Sequence, residues 1–218
     1  MTDRALTTLV WRALLGAART PALWIAMGVQ IGFLSLYLLV WGDGLPLVGA
    51  RPVLAQFATT QWIFLGLALP WAAARSGAAW RHDEVAQLAA LGAILPSSAV
   101  AASVAALSVL LLAMAAVGLP FAVLAQQISA VPAMELWRTK LPVYALGLCA
   151  AAVTAACMLF VANRFMAWTT ATALTLALMI AVPQGIAGAA VLAALAVAVG
   201  AALVNGADRR FWYLSEQA

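Results

Sequence analysis

The feature that most constrains this chain is the recurrence of apolar runs roughly 20 residues long with almost no charge inside them. A helix rises about 1.5 Å per residue, so such a run spans about 30 Å, the thickness of a bilayer's hydrocarbon core. Lipid offers no partner to a backbone N–H or C=O, so the chain must bond its own amides as helices or a closed barrel. The runs are continuous, without the strict alternation of barrel strands, and therefore favour helices. A hydrophobic fraction of 67% and a mean hydropathy of +1.05 agree. The expected fold is an all-α integral membrane protein forming a single transmembrane domain over residues 1–218.

Six spans are expected: about Ala22 to Trp41, Gln61 to Ala79, Ser97 to Ala125, Leu141 to Asn163, Met166 to Pro183, and Gly185 to Asn205. The third is long enough to tilt, or to bend near Pro120. Pro183, Gln184 and Gly185 alone separate the last two, which predicts a tight hairpin. With both termini in the cytoplasm, Arg4, Arg12, Arg19, Arg75, Arg81, Arg164, Arg209 and Arg210 lie inside, and only Arg51, Arg138 and Lys140 lie outside. That asymmetry satisfies the positive-inside rule. The net charge of +4 then reflects topology and contact with anionic lipid heads, and gives no support to nucleic-acid binding. Trp24 and Trp41 bracket the first span and Trp62 and Trp80 the second, while Trp137, Trp168 and Trp212 fall near other ends, where indoles sit well at headgroup level.

Residues 1–20 lack the compact apolar block and cleavage site of a secretory signal. Arg4, Thr8, Arg12 and Arg19 recur at helical spacing opposite Leu6, Leu9, Val10, Ala13, Leu14 and Ala17. An interfacial amphipathic helix is expected there, ended by Thr20 and Pro21. Residues 206–218 form a cytoplasmic tail. Cys149 and Cys157 are about 12 Å apart along one helix, too far for a disulfide, and read as packing residues.

Chemistry is scarce. The sequence has no GxSxG or HExxH, no four-ligand metal pattern and a single histidine, His82. No catalytic, cofactor-binding or metal-ligating residue is expected. No charged residue falls deep within the six spans as drawn, so ion coupling inside the bundle is not expected. Gln30, Thr154, Thr170, Thr172 and Thr175 are the main buried polar candidates, read as helix-to-helix hydrogen bonders. The sole lysine, Lys140, lacks the glycines of a phosphate-binding loop.

The densest polar cluster is Arg81, His82, Asp83 and Glu84, within WRHDEVAQLAALGAILPSS. Asp83 or Glu84 favours a helix start, Pro96 marks the far end, and Val85, Leu88, Gly92 and Leu95 recur on one face. Arg81, Asp83, Glu84 and Gln87 fall on the exposed side. The segment reads either as a docking helix for a soluble partner or as a solvated connector.

Together with the basic N-terminal helix, HDEVAQLAALGAILP followed by SSAVAASVAAL resembles the small six-span permeases of type-2 ATP-binding-cassette (ABC) transporters. In size and layout the chain is similar to the haem-exporter-type membrane subunits of cytochrome c maturation. The resemblance implies a transmembrane permease domain with residues 80–96 as the coupling helix, and Arg81, His82, Asp83, Glu84, Gln87 and Leu88 as contacts to an ATPase partner. It also implies a bacterial inner-membrane location, a second copy or a homologous permease as partner, and no cofactor in this chain, with ATP and Mg held by the partner ATPase. Gly28-x-x-x-Gly32 supplies a close-approach face for dimerisation. The cargo would be amphipathic or hydrophobic. A non-transporting structural subunit and a passive facilitator are the alternatives.

Overall fold

A computed structural model describes residues 3–41, 50–76, 79–90, 95–129, 132–161, 163–182 and 186–215. Every regular element among them is a helix. These are α1 (Asp3–Ala18), α2 (Pro21–Trp41), α3 (Ala50–Ser76), α4 (His82–Ala90), α5 (Pro96–Val117), α6 (Leu119–Ser129), α7 (Ala133–Phe160), α8 (Arg164–Ala181) and α9 (Ile186–Ser215). Six spans are long and apolar enough to cross a membrane: Pro21–Val40, Phe57–Arg75, Pro96–Gln127, Ala133–Phe160, Arg164–Ala181 and Ile186–Ala207. The chain is a membrane protein of the expected all-helical class.

Local chemistry sets the helix starts. Pro21 opens α2 at the first position, where its missing N–H costs nothing. The elbow before it is tied twice: Thr20 Oγ1 donates to the Gly16 carbonyl at 2.9 Å, and the Trp24 indole donates to the Ala18 carbonyl at 2.7 Å. Pro96 opens α5 behind an extended Leu95. Asn163 caps α8, its Oδ1 accepting from the amides of Phe165 at 2.8 Å and Met166 at 3.4 Å.

Helix α7 is the axis of the bundle, with α3, α5, α8 and α9 packed against it. Small residues make this possible. Ala145, Gly147, Cys149, Ala150, Ala151, Ala152 and Ala155 are buried, so neighbouring backbones approach closely and dispersion replaces the hydrophobic drive that lipid cannot supply. Cys149 and Cys157 are free and buried, as packing residues should be. Outward faces are apolar instead of polar: Leu39 is 77% exposed, Ile180 88% and Val197 72%, a surface suited to lipid. Helix α1 sets Ala13 and Ala17 against the bundle, mainly on α5, and leaves Leu6, Trp11 and Leu15 exposed.

Three expectations need correction. The second span starts earlier than Gln61: α3 is already helical from Ala50, so its first turns occupy what reads as an outer loop. Trp62 is 3% exposed and packs in the core instead of marking a headgroup level. The fourth span begins at Ala133, not Leu141, because Pro142 is tolerated inside the helix. The third span is divided at Gly118, close to Pro120, where the sequence points to a bend. Residues 183–185, the expected hairpin, lie outside the described residues, although α8 and α9 are separated only by 182–185.

Helices α3 and α8 meet at Gly66, where an added Cβ would lie 2.7 Å from Met179 Sδ and 3.6 Å from Thr175 Cγ2. A methionine tail can yield to one methyl, but a branched side chain has nowhere to go. Gly66→Ala is expected to leave the thermal midpoint of the detergent-purified protein nearly unchanged. Gly66→Leu is expected to lower it clearly, by about 1–3 kcal/mol of overpacking.

Candidate functional site

Helix α4 is shorter than residues 80–96, covering nine residues. Its start is built by Glu84, whose Oε2 accepts from the Arg81 backbone amide at 3.0 Å, half of a capping box three residues apart. Arg81 Nε reaches Asp83 Oδ1 at 3.3 Å. Glu84 Oε1 also meets Arg164 Nη2 at 3.8 Å, linking α4 to the first residue of α8. Both members of that pair are about half exposed, so it contributes about 0–1 kcal/mol and serves more as a tether than a brace.

Packing fixes the other face. Val85 is 1% exposed, and α4 leans on α5, α7 and α9. Just before the helix, the Trp80 amide donates to Ser103 Oγ of α5 at 3.1 Å. The result is a rigid short helix seated across the ends of several membrane helices, with Asp83 and Gln87 turned outward. Of the expected contact residues, Asp83 and Gln87 are exposed, Arg81 and Glu84 are partly engaged within the chain, and the side chains of His82 and Leu88 lie outside the described residues. Leu95, expected on the apolar face, is not part of α4 and is 52% exposed. Residues 91–94, which include Gly92, lie outside the described residues. Gly28 and Gly32 are on an open side of α2, where an added Cβ meets nothing within 4 Å.

A second polar centre was not foreseen. Lys140 of α7, which the sequence places in an outer segment before the fourth span, is 1% exposed and packed among the helices. Its Nζ donates to Gln61 Oε1 and, at 3.4 Å, to the Gly118 carbonyl, and it lies 4.8 Å from the centroid of the Phe57 ring. Gln61, fully buried on α3, donates in turn from Nε2 to the Ala115 carbonyl at 2.7 Å. The centre sits where the α5 ladder is interrupted, since Pro120 has no amide to donate. The Ala115 and Gly118 carbonyls accept from the Gly118 and Ala122 amides at 3.3 and 3.2 Å, and Gln61 and Lys140 add second donors to them, the cation at the negative end of α5. Gly118 is required for space alone: a Cβ there would fall 2.3 Å from Gln61 Nε2. Gln61 is bonded on both sides and has no room to retreat.

The sequence held signals for this centre. Glu135 and Arg138 pair at i, i+3, with Nη1 to Oε1 at 3.2 Å, which marks helix well before Leu141. Polar residues expected to bond across helices behave differently. Thr172 and Thr175 donate back to the Trp168 and Ala171 carbonyls of their own helix, at 2.9 and 2.8 Å. Thr170 is exposed. Gln30 and Thr154 are buried with no hydrogen-bond partner.

Among the described residues, no group of three or more His, Cys, Asp or Glu side chains could hold a metal ion. Comparison of the chain with family models, curated proteins and solved structures finds no match.

Lys140→Met takes the donor from the buried Gln61 Oε1 and is expected to destabilise the purified protein by about 1–3 kcal/mol. Gln61→Leu removes an acceptor from the ammonium and a donor from the Ala115 carbonyl, and is expected to cost about 1.5–3 kcal/mol. Thermal unfolding of both variants and of the double variant checks this. Strongly non-additive losses are expected, since the two residues bond directly.

Proposed function

We propose that this chain is the membrane subunit of an ATP-driven exporter of the ABC type, working with separate ATPase subunits. The observation that carries the reading is α4: a capped nine-residue helix, fixed by Val85, resting on α5, α7 and α9, with Asp83 and Gln87 presented outward. A helix so seated can pass movement of a bound partner to several membrane helices at once. The resemblance of HDEVAQLAALGAILP to a coupling helix points the same way.

In this reading the protein sits in the bacterial cytoplasmic membrane with both termini and α4 inside, and α1 lies in the interface. Two copies, or one copy and a homologous permease, pair through open apolar faces such as that of Gly28 and Gly32. ATP-driven closure of the ATPase subunits then shifts the pair between arrangements. ATP and Mg belong to the partner. The cargo is amphipathic or hydrophobic: Lys140, the charge found inside the bundle, is occupied by Gln61 and a helix break, so it does not offer a hydrated-ion path.

The test is affinity purification from the native membrane in mild detergent, with identification of copurifying proteins and an ATPase assay. A stoichiometric ATPase is expected to accompany the wild type. Gln87→Arg with Asp83→Arg, both on the outward face, is expected to release it, while insertion and thermal stability stay unchanged. Glu84→Gln keeps the cap acceptor but weakens the Arg164 tether, and is expected to retain the ATPase with reduced coupling of hydrolysis to transport. Purification without any ATPase partner would favour a structural subunit or a passive facilitator.

A further inference from the structure

A cavity of about 500 Å³ lies between the end of α3 and the start of α8, lined by Trp71, Ala74, Arg75, Arg164, Phe165 and Trp168. Among the described residues its lining is unusual for a bundle so poor in charge: two guanidiniums, three aromatic rings and no carboxylate. Arg75, in the last turn of α3, forms no ion pair among the described residues. Arg164 stands at the first position of α8, where the positive end of the helix dipole already disfavours a cation. Its one carboxylate neighbour, Glu84, is 3.8 Å away and spends its other oxygen on the Arg81 amide, so most of the five guanidinium donors are left unused. The Trp168 indole Nε1 is a buried donor with no acceptor. Asn163 already takes two amides at the α8 terminus, so side chains, and not the helix end, would supply the binding groups.

We infer that this cavity is a binding site for the phosphate head group of an anionic phospholipid from the leaflet on the α4 side. Arg75 and Arg164 hold the phosphate oxygens, for which the guanidinium fork is well matched. The Trp168 ring adds to the aromatic lining beside them. Trp71 and Phe165 give the apolar walls on which the glycerol and upper acyl carbons rest, and Phe165 stays 64% exposed towards the lipid side. Basic and aromatic residues combined at helix ends suit this depth of the membrane. The cavity volume falls within the range usual for small-molecule sites, about 300–1,000 Å³. The inference is independent of an ATPase partner.

The test uses the full chain, reconstituted in nanodiscs of phosphatidylcholine with increasing phosphatidylglycerol, then released and examined by native mass spectrometry for retained lipid. The wild type is expected to retain one phosphatidylglycerol in at least tenfold preference to phosphatidylcholine. Arg75→Gln with Arg164→Gln is expected to abolish that preference, and the matching Lys pair to keep part of it. Circular dichroism and thermal midpoints confirm that each variant is folded. Equal retention of the two lipids by the wild type, or undiminished phosphatidylglycerol on the Gln pair, overturns the proposal. Displacement of the lipid by millimolar inorganic phosphate would identify the occupant as a free anion and overturn the lipid assignment. A copurifying ATPase unaffected by the Gln pair would leave the transport reading standing whichever way the lipid result falls.

Discussion

The bundle depends on a polar cross-link built at one broken helix. The third span is interrupted at Gly118 and Pro120, where the Ala115 and Gly118 carbonyls keep backbone donors within the span. Gln61 from α3 and Lys140 from α7 add donors to the same carbonyls, and their side chains thereby fasten α3, α5 and α7 at one level. Each member explains the next. Proline removes the amide, glycine leaves space for Gln61, the glutamine bridges carbonyl and ammonium, and the Phe57 ring covers the cation.

The rest of the packing follows from α7. With Lys140 fixed near one end, its run of alanines and cysteines lies at the centre, where α5, α8 and α9 can come close. Helix α4 is then placed by what lies beneath it. Its buried Val85 meets the bundle, and its polar face is left towards water together with the loose tether from Glu84 to Arg164. The same tether joins the candidate docking helix to the cavity beside Arg75, so the two polar features at this side of the bundle share a residue.

Much of the architecture was legible from residue patterns. Six apolar runs can satisfy a bilayer in essentially one way, and proline or asparagine at a helix start acts over a few residues, so Pro21, Pro96 and the outward polar face of α4 could be read locally. Helix ends in lipid were harder. The fourth span was expected from Leu141, yet α7 runs from Ala133 straight through Pro142. Trp62 looked like a headgroup marker because indoles favour interfaces, but burial against other helices competes with that preference. Glu84 looked like a free contact group, and is in part the cap of its own helix.

The sequence by itself determined the helical class, the number of spans, the amphipathic character of α1 and α4, and the absence of a phosphate-binding loop, since each depends on residue type and near neighbours. Only the tertiary structure decided which polar residues meet. Gln61 and Lys140 are 79 positions apart, and Arg75 and Arg164 belong to helices with four others between them in the chain. No periodicity along a single helix records such pairings, because they are chosen by the packing of small residues and by the need to give every buried donor and acceptor a partner.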